Sequence, residues 1–119
     1  MPQKVKSETA GQKYTNPSRK GDIAEQFVVT EALRRGAEVF KNVCATGDAD
    51  LVLIHNGIIV QIDVKLMRYQ KSGDAWGSYA GKPLDHIYYV LVNPETYEIR
   101  WMKRKKPAGL EDFWDEASH

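Results

Sequence analysis

Two aspartates and a lysine occupy positions from which they could hold a cation beside a phosphate. Leu51-Val52-Leu53-Ile54 and the run Ile58 to Val64 are rich in β-branched residues, with His55-Asn56-Gly57 between them. Asn-Gly between such runs is the strongest short-range signal for a β-hairpin. With Asn56 and Gly57 as the turn, His55 faces Ile58, Ile54 faces Ile59, Val52 faces Gln61 and Asp50 faces Asp63. One step further out, Asp48 falls across from Lys65. Residues directly opposite on neighbouring strands share a face, with Cβ atoms about 5 Å apart. Alternation adds Gln61 and Lys65 to the face of Asp63 and sends Ile58, Val60, Ile62 and Val64 toward the core. Like charges opposed in this way destabilise a sheet. A divalent cation relieves the repulsion, and carboxylate oxygens are the ligands Mg2+ prefers. Asp63 also interrupts an otherwise apolar run, which a purely structural strand has no reason to do.

A third acid comes from a helix expected over Ser18 to Arg35. Asn16 or Ser18 is placed to cap it, Gly36 to stop it, and Arg34 and Arg35 sit where the helix dipole favours cations. On the helical wheel Glu25 lies beside Val28, Val29 and Ala32. A carboxylate in an apolar sector is costly unless it is paired or bound to a cation.

The remaining elements must carry these side chains. Ala37 to Val43 reads as a short strand, Ala45-Thr46-Gly47 as a turn, and Ile87 to Val92 as a buried strand. Asn93-Pro94-Glu95-Thr96 is a turn before a strand over Tyr97 to Met102, and Gly109 to Ala117 is expected to form a last short helix carrying Phe113 and Trp114. Between Arg68 and Lys82 the chain is polar and Gly-rich, too long for a simple connection, with Trp76 and Tyr79 inside it. Trp76 could stack on a nucleobase, although a lone tryptophan more commonly packs on its own core.

With 119 residues the chain is read as one domain over 18–119, preceded by a flexible basic arm over 1–17. The net charge of +1 conceals its distribution. Lys4, Lys6, Lys13, Arg19 and Lys20 make the beginning basic, Lys103 to Lys106 form a second basic run, and Glu111, Asp112, Asp115 and Glu116 follow as an acidic stretch. Basic segments on a small domain suit a polyanion. No apolar run is long enough to span a membrane, and the first residues lack the apolar stretch of a secretory signal. Cys44 is the sole cysteine, which excludes an internal disulfide and a cysteine-rich zinc site and points to a reducing, intracellular (cytoplasmic) setting. His55 and His86 lack the spacing of metal ligands.

The order of these features resembles the PD-(D/E)XK nuclease superfamily. The matching segments are Lys20-Gly21-Asp22-Ile23-Ala24-Glu25, Gly47-Asp48-Ala49-Asp50 and Asp63-Val64-Lys65, together with Tyr88 to Thr96, over about Arg19 to Met102. Within the superfamily the chain is similar to archaeal-type Holliday junction resolvases and small homing endonucleases. Ala49 stands where many members carry proline, and Gln61 lies two residues ahead of Asp63.

The resemblance implies an α/β restriction-endonuclease-like core, a mixed central β-sheet flanked by helices. It implies that Asp50 and Asp63, with the backbone carbonyl of Val64, hold Mg2+, for which Mn2+ substitutes. Glu25 would bind a second metal or a metal-bound water. Lys65 would orient or deprotonate the attacking water and stabilise charge on the phosphate, the carboxylates beside it favouring the orienting role. Asp48 is a reserve acid that reads first as a turn former. Arg19, Lys20, Arg68, Lys71 and Lys82 would hold DNA phosphates, and cutting two strands implies a symmetric homodimer. The activity implied first is structure-selective cleavage of branched DNA by a junction-resolving endonuclease. Sequence-specific cleavage of the homing or restriction kind is the alternative, and a non-catalytic nucleic-acid-binding domain the third. Clustered acids facing phosphate disfavour the last.

Overall fold

Proline fixes φ at a helical value and lacks the N–H that a first helical residue could not use, so Pro17 opens helix α1 (Pro17–Arg34). The computed structural model describes residues 17–44, 46–69, 75–77 and 84–115. Asn16, one of the two expected caps, lies outside them, and Ser18 is already inside the helix. Ala24, Val28 and Ala32 recur at helical spacing and are buried against the sheet. The helix closes as its glycine requires. Gly36 has φ +90°, its N–H donates to Leu33 O at 3.0 Å, and the Ala37 N–H donates to Ala32 O at 3.0 Å. This pair of bonds is the Schellman motif.

The strands are β1 (Glu38–Lys41), β2 (Leu51–His55), β3 (Ile58–Tyr69), β4 (Ala75–Gly77), β5 (Tyr88–Asn93) and β6 (Glu98–Trp101). They lie in the order β1-β2-β3-β5-β6, with β4 paired to β3 off that path. Only β3 and β5 run parallel among these pairings, so the sheet is mixed. A parallel pair cannot be joined by a tight turn and needs a crossover of a dozen or more residues. The polar, Gly-rich stretch after Arg68 is that crossover. Its first part returns as β4, which sets Arg68 opposite Trp76.

The core lies between α1 and one face of the sheet. Leu51, Leu53, Val60, Ile62, Val90, Val92 and Trp101 meet the helix alanines and valine there, joined by Leu110, Phe113 and Trp114. Ile58 and Val64 pack on its margin. The expected mixed α/β sheet is present, and among the described residues it carries one helix, α1. One expectation needs correction. The expected last helix is absent over its described part, and residues 109–115 form isolated turns closed by Leu110 N–H to Pro107 O, Phe113 N–H to Leu110 O and Asp115 N–H to Asp112 O. The reason lies in a partner from β6. The Trp101 indole N–H donates to Leu110 O at 2.7 Å, taking the carbonyl that a helical turn would bond from Trp114. Burying Leu110, Phe113 and Trp114 together then outweighs helix propensity. Among the described residues no helix is long and apolar enough to cross a membrane.

Gly109 connects this segment to the hairpin. It has φ +85°, and a Cβ there would meet Ile58 Cδ1 at 2.5 Å. Gly109→Ala is expected to lower unfolding stability by about 1 kcal/mol or more, measured by urea denaturation.

Candidate active site

The hairpin forms in the register that Asn56-Gly57 dictates. Asn56 (φ 52°) and Gly57 (φ 79°) are both left-handed, as a type I′ turn demands. His55 pairs with Ile58, Ile54 with Ile59, Val52 with Gln61 and Leu51 with Ile62. At Asp50 the ladder departs from that count. The Asp50 N–H donates to Ile62 O at 2.8 Å, so Ile62 faces both Asp50 and Leu51. Two residues against one is the pattern of a β-bulge, a device that re-aims a side chain at the end of a ladder.

The re-aimed carboxylate of Asp50 accepts the Val64 N–H at Oδ2, 2.9 Å away. The Asp63 carboxylate is close enough to act on its charge. Lys65 Nζ lies 3.1 Å from Asp63 Oδ2, and the two side chains are only 28% and 19% exposed. The structure therefore brings Asp50, Asp63 and Lys65 together, with the Val64 peptide between them. Because a strand residue turns its N–H and C=O toward the same neighbour, the Val64 carbonyl lies on the edge of β3 that faces Asp50. Burial first, and then the neighbouring Asp63 carboxylate, push the Asp50 pKa up to about 6, against the opposing pull of the Val64 N–H and Lys65. Two carboxylates face one ammonium, and the site is short of positive charge.

A divalent cation fits that deficit. Among the described residues no group of three or more His, Cys, Asp or Glu side chains gathers as a metal cage. Two carboxylates and a carbonyl, completed by water and substrate oxygens, are what Mg2+ takes, since it seldom uses an all-protein cage.

Glu25 is held by a cation of its own: its Oε1 lies 3.1 Å from Nζ of Lys41, which stands opposite Leu51 at the end of β1. Arg19 and Lys20 lie in the first turns of α1, and Arg68 is exposed on β3. Lys71 and Lys82 fall outside the described residues. Asp48, read as a turn former, has Oδ2 3.5 Å from His86 Nε2. In the basic run, Lys105 turns inward and donates to the carbonyls of Leu84 and Asp85, bracing the turn that enters β5. Asn42, which spacing did not single out, bonds three points of the loop that delivers Asp50. Nothing in local sequence reveals that role, because its partners are backbone groups brought back by the β1–β2 connection.

The proton on Asp50 has a measurable consequence. Its folded pKa of about 6 lies above the ordinary 3.8, so the folded state holds the proton more tightly. The stability this proton contributes is complete below pH 3.8 and is lost as pH rises through about 6. Wild-type protein without metal is therefore expected to lose melting temperature relative to Asp50→Asn over that range. Mg2+ must displace the same proton, so its affinity, followed by titration calorimetry, is expected to rise across the same window.

Comparisons with known proteins bear on the fold. No family model matches the chain, and no curated protein matches it. A solved structure, that of the bacterial homing endonuclease I-Ssp6803I, superposes with a TM-score of 0.61 at 26% sequence identity, covering 73% of this chain and 64% of that one. The chain thus spans a little under two thirds of that protein's length, and its mixed α/β sheet is similar to a sheet found in a DNA-cutting enzyme.

Proposed function

We propose that this chain is a divalent-metal-dependent DNA endonuclease that hydrolyses phosphodiester bonds at Asp50, Asp63 and Lys65. The observation that carries the reading is the partly buried pair formed by Asp50, which accepts the Val64 N–H, and Asp63, whose Oδ2 lies 3.1 Å from Lys65 Nζ. A bound Mg2+ or Mn2+ supplies a more acidic water and offsets charge on the in-line transition state. Asp50, Asp63 and the Val64 carbonyl hold it. Lys65, with Nζ 3.1 Å from Asp63 Oδ2, orients the attacking water and receives a phosphate oxygen. Glu25 joins by holding a second cation or its water only when its carboxylate leaves Lys41. Arg19, Lys20, Arg68, Lys71 and Lys82 supply phosphate contacts, and two copies act as a dimer to cut both strands.

The similarity to a homing endonuclease supports sequence-specific cleavage of duplex DNA ahead of the junction-selective cleavage expected from sequence. The two readings share the site and differ in what surrounds it.

Cleavage of a pool of randomised linear duplexes, in parallel with four-way junctions, tests both points. Cleavage is expected with Mg2+ or Mn2+ and not with chelator, at a preferred sequence, with no gain when that sequence is built into a junction. Asp63→Ala is expected to lower the rate by about 100-fold or more. Undiminished metal-dependent cutting by Asp63→Ala overturns the site assignment, and sequence-independent cutting of junctions alone restores the junction reading.

A further inference from the structure

Asp50 sits at the end of a strand, where frayed backbone would let its carboxylate wander. Its peptide group is instead pinned on both sides. The carbonyl of the Ala49–Asp50 peptide accepts the Asn42 side-chain amide at 2.8 Å, from Nδ2. The N–H of the same peptide donates to Ile62 O at 2.8 Å. The Asp50 carbonyl, one peptide further on, accepts the Asn42 backbone N–H at 2.9 Å, continuing the β1–β2 ladder one residue past Lys41 and Leu51. The amide is itself oriented, because the Cys44 N–H donates to Asn42 Oδ1 at 2.8 Å. Gly47 completes the fit. A Cβ at that position would run into the Asn42 amide nitrogen.

We propose that Asn42 is a positioning residue for the proposed metal site, a clamp that fixes the Ala49–Asp50 peptide so that the Asp50 carboxylate points at Val64 and Asp63. This rests on the nuclease reading for its consequence, though not for its geometry. With both ends of the peptide bonded, φ of Asp50 is set and only side-chain rotation is left, and Val64 N–H selects that. Asn42 does this from the solvent-exposed side, where it has no core packing to provide. An aspartate would keep the Cys44 bond and lose the donor to Ala49. The glycine at 47 then has a specific reason, which is to leave room for the amide.

Asn42→Ala, Asn42→Asp and Gly47→Ala separate this role from ordinary loop stability. Hydrogen exchange of the Asp50 amide, in metal-free protein, reads the clamp with neither metal nor DNA present. All three variants are expected to speed that exchange, to weaken Mn2+ binding by about 10- to 100-fold and to lower kcat with KM for DNA unchanged. In the Asn42→Ala background Gly47→Ala is expected to add little, since the group it collides with is gone. Asp50 exchange and Mn2+ affinity within twofold of wild type in Asn42→Ala overturn the proposal, as does full additivity with Gly47→Ala. If wild-type protein neither binds Mn2+ nor cuts DNA, the nuclease reading falls. The clamp is then decided by the Asp50 exchange rate alone.

Discussion

The register of one hairpin is the constraint on which the rest depends. Side chains on a strand alternate between faces, so a slip of one residue would carry Asp63 and Lys65 into the layer under α1 and push Ile62 into water. Two things prevent that slip. The type I′ turn at Asn56 and Gly57 sets the starting pair, and the burial of Val60 and Ile62 against Leu53 and Leu51 holds it. β3 is also the strand on which the sheet changes character, antiparallel to β2 on one edge and parallel to β5 on the other. Asp63 and Lys65 thus ride just past the last β2 pair at Ile62, on a segment held along the β5 edge across from Tyr89 and Leu91, both buried.

Against this rigid strand the fold works at an electrostatic disadvantage. Asp50 and Asp63 repel, Lys65 compensates for one of them, and the remaining deficit shows as a proton held on Asp50 up to about pH 6. Such an arrangement is tolerated because the apolar layer elsewhere supplies the stability, and because partial burial makes each remaining interaction stronger. A group whose charge is disfavoured in this way is one that a bound cation would stabilise. The same partial burial that raises the proton affinity would favour a metal at the pair.

Periodicity and turn chemistry carry most of the architecture. The glycine stop of α1, the hairpin register and the buried β5 run are local properties, legible in Gly36, Asn56-Gly57 and the Tyr88–Val92 segment. The misread parts are those decided by distant partners. Residues 109–115 have the composition of a helix end, but Trp101 takes the carbonyl of Leu110 and the aromatic rings pack into the core instead. Glu25 lies on an apolar sector as expected, yet Lys41, which reaches it only once β1 is laid beside β2, takes its charge.

From residue order alone follow the pairing of the two segments around Asn56-Gly57, the common face of Gln61, Asp63 and Lys65, and the approach of Asp50 to that face, because each is a consequence of period two and one turn type. Tertiary structure decided the rest. The amide of Asn42 against the Ala49–Asp50 peptide and the ion pair of Glu25 with Lys41 both depend on a third strand, β1, laid beside β2. Hydrogen bonds to backbone carbonyls leave no mark in side-chain pattern, since every residue offers the same acceptor and only the folded path determines which one is within reach.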